Sequence, residues 1–220
     1  MHNVEYNKDM DGDSMPLLIV ITHFVNLFCI ILLIRSGLHI LADHLLLYWS
    51  DHTRRDNAWL KFGKKKMPKD KLWTAHDEWE TIGHYALPGG EHKDFGNARN
   101  WHFLAASIWI ITGVIYWGYL FISGVWQRLI PTSWDVFPGA VHDLVGYLTL
   151  QIPPESAFQP YDSLQQLTYA GVVFVLAPLM ILTALAMSPA FTNRFPRYVL
   201  LFGGRRQVAR SLHFLGMVGF

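Results

Sequence analysis

The chain has 220 residues, 51% of them hydrophobic and 15% aromatic but only 16% charged, where a soluble domain carries about 25% charged residues. Its net charge of +1 comes with no basic face, which argues against a nucleic-acid partner. A single cysteine, Cys29, excludes an internal disulfide and a multi-cysteine iron–sulfur site.

The missing charge is concentrated in three runs. Residues 15–42 carry one charge, Arg35, while 101–126 and 163–193 carry none. Each run exceeds the ~20 apolar residues that cross a hydrocarbon core. A polar tail, 1–15, leads into a first helix over 16–41, with Pro16 in its first turn. This run is too long for a signal-peptide core and follows an acidic segment, so it reads as a retained span. A polar loop, 45–99, carries ten basic and eight acidic residues, the run Lys64, Lys65 and Lys66, and the turn-forming Pro88-Gly89-Gly90. Helix two is expected over 101–125. Within 126–162, Val141, Leu144, Val145 and Leu148 fall on one helical stripe, which predicts a short amphipathic helix on the lipid surface. Helix three is expected over 164–187, kinked at Pro178.

A basic, acid-free connector, 188–210, then leads to a fourth apolar stretch. From Gln207 to Phe220 that stretch reaches only ~21 Å at 1.5 Å per residue. It reads as a fourth helix, 207–220 onward, that stops short, and the chain as truncated after Phe220. The expectation is an all-α membrane protein with residues 1–220 forming one domain.

Eleven histidines sort by location. His2, His52, His76, His84, His92 and His142 lie in polar segments and read as solvated. His23, His102 and His213 lie in the first turns of apolar helices, where an ionisable ring needs a partner or a task. One reading is an interhelical hydrogen bond. The other is ligation of haem iron, in which a neutral imidazole offers one nitrogen to the metal and donates from the other. Gly37, Gly113 and Gly171 would allow helices to approach a flat ring. Arg99 and Arg210 each stand three residues before a candidate ligand, His102 and His213, and would meet propionates or anchor the chain at the interface. Arg35 lies twelve residues after His23 and would snorkel or neutralise a propionate. His39 and His44 close helix one as second-tier candidates near a haem edge or a quinone.

Four stretches resemble a known family: ITHFVNLFCIILLIRSGLHI (21–40), RNWHFLAASIWIITGVIY (99–116), LQQLTYAGVVFVLAPLMILTALAMSPAF (164–191) and LFGGRRQVARSLHFLG (201–216). They are similar to the membrane b-type cytochromes of nickel–iron hydrogenases, formate dehydrogenases and thiosulfate-reductase-like enzymes, the last branch most of all. The polar loop matches loosely, around LLLYWSD. The resemblance implies a four-helix transmembrane haem-binding bundle holding two b haems, with ligands early on helices one and two and two on helix four. By position, His102 and His213 would bind one haem and His23 the other, whose second ligand would fall beyond Phe220. One or two haem b groups are therefore expected.

The same resemblance implies a multi-pass protein of the bacterial inner membrane. Its partners would be quinone and a periplasmic or membrane-associated redox enzyme, a molybdopterin oxidoreductase. The excess of basic residues in 45–99 and 188–210 would place the amino terminus outside; the resemblance implies both termini cytoplasmic, and that orientation is adopted. The loop tryptophans Trp59, Trp73 and Trp79 are the expected docking surface, or else pack the loop onto the membrane. The expected role is electron transfer rather than catalysis. Other readings are a haem-free anchor, a nickel–iron hydrogenase cytochrome, or a transporter, the last weakened by the lack of acidic residues in the spans.

Overall fold

The apolar run after Pro16 is helical from its next residue: α1 spans Leu17–Leu41. This computed structural model describes residues 17–53, 55–63, 87–90, 94–151 and 161–220. Pro16, the amino-terminal tail, Lys64 to Lys66, Trp73, Trp79, His76, His84 and His92 lie outside the described residues. The contacts divide the chain into two units, one of residues 1–40 and 83–122, the other of residues 41–82 and 123–220.

In the first unit α1 pairs with α2, Phe95–Ser123. Helix two thus begins six residues before the expected 101 and stops two before 125. The early start has a local cause, since the Asp94 carboxylate accepts from the Asn97 N–H and caps a polar first turn. Ahead of it the expected Pro88-Gly89-Gly90 turn forms, with Gly90 N–H on the Leu87 carbonyl. Gly89 has φ +79°, and a Cβ on Gly90 would come within 2.8 Å of the Asn97 side chain, so both positions suit glycine. Trp101 donates from its indole to the Pro88 carbonyl at 2.8 Å, seating the turn on the helix.

Three polar contacts register α1 against α2. Ser36 meets His102, Asn26 accepts from Thr112 at 2.7 Å, and the His23 ring packs edge-on to Tyr116 at 5.6 Å. As the α1 number falls the α2 number rises in step, so the helices run antiparallel. An apolar groove of about 410 Å³ lies on the pair, lined by residues including Phe28, Leu32, Trp101 and Leu104.

The second unit begins with a short antiparallel hairpin, β1 Leu46–Leu47 against β2 Leu60–Lys61. Leu45 to Tyr48 are buried. After the one-turn α3, Trp126–Leu129, the predicted amphipathic helix is present and longer than its stripe: α4 spans Val136–Leu148. Val141, Leu144, Val145 and Leu148 are all exposed, as an interfacial face requires.

The third long helix is α5, Ser163–Met187. Two carboxylates satisfy its first N–H groups, Asp162 on Gln165 at 2.7 Å and Asp143 of α4 on Leu164 at 3.3 Å. Ahead of Pro178 the helix widens into a π turn over Val172–Leu176, where Ala177 N–H bonds the Val172 carbonyl five residues back. The wide turn makes room for a proline ring that would otherwise strike the carbonyl four residues before it.

The basic connector is not a plain link. It folds into α6, Pro189–Arg194, and a 3₁₀ helix, Pro196–Phe202. These runs are too short to leave a periodic signature in the sequence. The last helix, α7, spans Arg206–Gly219. It runs antiparallel to α5: His213 meets Thr183, Gly216 faces Met180 and Gly219 faces Leu176. Phe202, Ala186 and Ala209 form a buried core here with Tyr198 and Leu212 around it.

Candidate functional site

The hairpin pins α7 at its amino-terminal end. Asp51 accepts from the Gln207 N–H at 3.1 Å, capping the helix from 156 residues away. Arg210 donates to the Leu46 carbonyl at 3.1 Å and also to the His44 carbonyl. Arg206 donates to Thr192 Oγ1 at 2.7 Å. Trp59 donates from its indole to Ser211 Oγ at 2.9 Å and stacks on Trp49. This side chain holds its own unit together.

His213 sits one turn beyond this clamp. Its Nδ1 lies 2.8 Å from Thr183 Oγ1 on α5, and the Thr183 hydroxyl lies 2.7 Å from the Leu179 carbonyl. A hydroxyl has one proton, and the carbonyl can only accept. Thr183 therefore donates to Leu179 and accepts from His213 Nδ1, which places the lone pair of the neutral ring on Nε2.

His102 repeats the arrangement in the first unit. Its Nδ1 lies 3.0 Å from Ser36 Oγ, whose proton goes to the Leu32 carbonyl at 2.6 Å. Gly37 lies beside the ring, where a Cβ would stand 3.5 Å from His102 Cε1. At Gly113 and Gly171 a Cβ would meet nothing within 4 Å, so open space lies beside both. His23 uses its own helix, donating from Nδ1 to the Ile19 carbonyl at 2.8 Å. With Nδ1–H donated in this way, each of the three rings would carry its lone pair on Nε2, the form in which imidazole ligates iron.

His23 and His102 occupy opposite ends of the α1–α2 pair. Tyr116, which packs on His23, lies 14 residues beyond His102, or about 21 Å along the helix. Arg35 precedes Ser36 and so lies at the His102 level. Arg99 shares that end, its guanidinium about 6 Å from the Phe95 and Phe103 rings. His39 is buried, while His52, His44 and His142 are exposed, the last two beside Asp43 and Asp143. Among the described residues no three His, Cys, Asp or Glu side chains gather into a metal-holding group. Haem asks for less, because the macrocycle supplies the equatorial nitrogens and the protein only axial ligands. Imidazoles already fixed at Nδ1, set in apolar helices with arginines nearby, fit that requirement.

Ser36 and Thr183 went unnoticed in the sequence. A hydroxyl inside a helix ordinarily bonds its own carbonyl four residues back, and nothing in the linear pattern names the imidazole across from it.

The family model for prokaryotic cytochrome b561 matches residues 14–220. Of the curated proteins, the one named "Putative protein-methionine-sulfoxide reductase subunit YedZ1" from Azospira oryzae is 28% identical over 123 residues, 56% of this chain and 58% of that protein. The match thus covers less than two thirds of that relative's length. No solved structure matches. Among the described residues three helices are long and apolar enough to cross a bilayer, and the chain belongs to the prokaryotic cytochrome b561 family as a membrane cytochrome b.

Proposed function

We propose that this chain carries electrons between membrane quinone and a redox enzyme docked at one membrane face, in which His102 and His213 would ligate one haem and His23 a second. What supports the ligand assignment is the feature common to all three rings, Nδ1 held by an oxygen of the protein and the lone pair on Nε2. Haem, when bound, supplies a one-electron carrier. The chain supplies ligands, an apolar surround, and cations for the propionates. We assign that last role to Arg99 and Arg35. Arg210 shares it only as far as its clamp on the hairpin carbonyls allows.

We take residues 1–220 as one domain, with α7 as the fourth helix of a bundle in the bacterial inner membrane and both termini cytoplasmic. The relative's name as a reductase subunit supports a reductase-type partner. The sequence resemblance favours one that contains molybdopterin. The docked enzyme performs the substrate chemistry, and this subunit only passes electrons.

Haem content and reduced-minus-oxidised spectra of purified variants test the assignment. His102→Ala and His213→Ala should each lose the same haem, and His23→Ala a different one. A reduced quinone analogue should reduce the wild-type haem. Full haem content in all three variants would contradict the ligands. A folded, haem-supplied protein that binds none would leave the haem-free anchor reading in its place.

A further inference from the structure

We propose that Ser36 and Thr183 are paired positioning residues, each accepting a hydrogen bond from the Nδ1–H of a ligand histidine and so setting that ligand's donor strength toward haem iron. The inference rests on the ligand reading above for His102 and His213, and goes beyond it to the groups that control those ligands.

Both hydroxyls are completely buried, at 0% exposure. Each sits on the helix that faces the histidine-bearing helix, and each also lies near a second carbonyl of its own helix, Leu33 at 3.3 Å for Ser36 and Met180 at 3.1 Å for Thr183. Ser36 donates to Leu32 at 2.6 Å and meets His102 Nδ1 at 3.0 Å. Thr183 donates to Leu179 at 2.7 Å and meets His213 Nδ1 at 2.8 Å. In both, the contact to the carbonyl four residues back is the shortest, and a carbonyl cannot donate, so we place the hydroxyl proton there. The imidazole must then donate. A hydroxyl that is already donating is polarised and accepts more strongly, and burial in an apolar span strengthens the effect.

Local helix chemistry accounts for the bond to the carbonyl four residues back, which serines and threonines commonly make in apolar helices. It does not account for an imidazole at hydrogen-bonding distance on both helix pairs. An acceptor at Nδ1 fixes the tautomer, orients the ring and raises the basicity of Nε2. A more basic ligand stabilises ferric over ferrous iron and lowers the reduction potential. His23 takes its Nδ1 acceptor from a carbonyl of its own helix rather than from a hydroxyl on a facing helix.

The test compares matched variants of the full, haem-loaded membrane protein. Thr183→Val keeps the shape and removes the hydroxyl, while Thr183→Ser keeps the hydroxyl. Ser36→Ala and Ser36→Thr form the second pair. Midpoint potential and the low-spin ferric electron paramagnetic resonance spectrum are the readouts, because a purely structural role would move neither in a folded, haem-replete protein. Thr183→Val and Ser36→Ala should shift the potential to more positive values, alter the ferric g values, and weaken haem retention by about 10–100-fold. Thr183→Ser and Ser36→Thr should return both readouts toward wild type. If Thr183→Val does not fold, the Ser36 pair decides. Wild-type potential and spectrum in the hydroxyl-free variants, with His213→Ala losing haem, would overturn this inference alone. Haem retained in His213→Ala would overturn the ligand reading and this inference with it.

Discussion

At Trp59 the indole N–H and the ring face are both engaged. The N–H donates to Ser211 Oγ, Ser211 donates in turn to the Tyr48 carbonyl, and the ring stacks 5.3 Å from Trp49. Ser211 is fully buried, so the chain Trp59–Ser211–Tyr48 ties the hairpin to α7 inside its unit. Trp59→Phe should remove the donor while keeping much of the stacking, at a cost of about 1–2 kcal/mol. Thermal unfolding in detergent measures it. Unchanged stability together with lost partner binding would give Trp59 the docking role. The sequence showed an aromatic in a polar loop, and interface statistics favoured a partner for it. Its contact with Ser211, across 152 residues, is one that no local pattern encodes. The same limit hid Ser36 and Thr183. The three histidines were legible because an imidazole among apolar residues stands out from its neighbours.

Elements were readable in proportion to how long their pattern ran. The spans stood out as uninterrupted apolar runs, and the stripe from Val141 to Leu148 foretold α4. The first turn of α2 was missed because Phe95 to Asn100 is polar, and the signal there is a cap, Asp94, rather than a period. The π turn before Pro178 follows from the proline but is not spelled out by it. Where α4 meets α5, Tyr147 donates its phenolic proton to Asp162, the residue that caps the membrane span. That bond to Asp162, with burial and the charges of Asp162 and Asp143 adding to it, pushes the phenol up from 10 to about 12. The folded state thus favours the protonated phenol. The stabilisation is fully present below pH ~10 and is lost as pH rises through about 12. Tyr147→Phe should therefore be less stable than wild type at pH 8, and the difference should close between pH 10 and 12. Thermal melts across that range check it. A difference independent of pH would assign the loss to packing alone.

Over the whole molecule, two antiparallel helix pairs, α1–α2 and α5–α7, carry the same device: a histidine on one helix and a buried hydroxyl on the other. Composition made the membrane legible, and the histidines together with the family resemblance made haem legible. Haem number, the quinone link and the partner enzyme rest on atoms outside this chain, so no reading of its residues alone supplies them. The central claim is that the chain binds haem b and passes electrons through it. A reduced-minus-oxidised absorbance spectrum of the purified, haem-supplied protein, with haem counted per chain, tests that claim most directly. The account predicts a b-type spectrum with one or two haems per chain, developed on adding a reduced quinone analogue. A folded protein with no haem spectrum would contradict it.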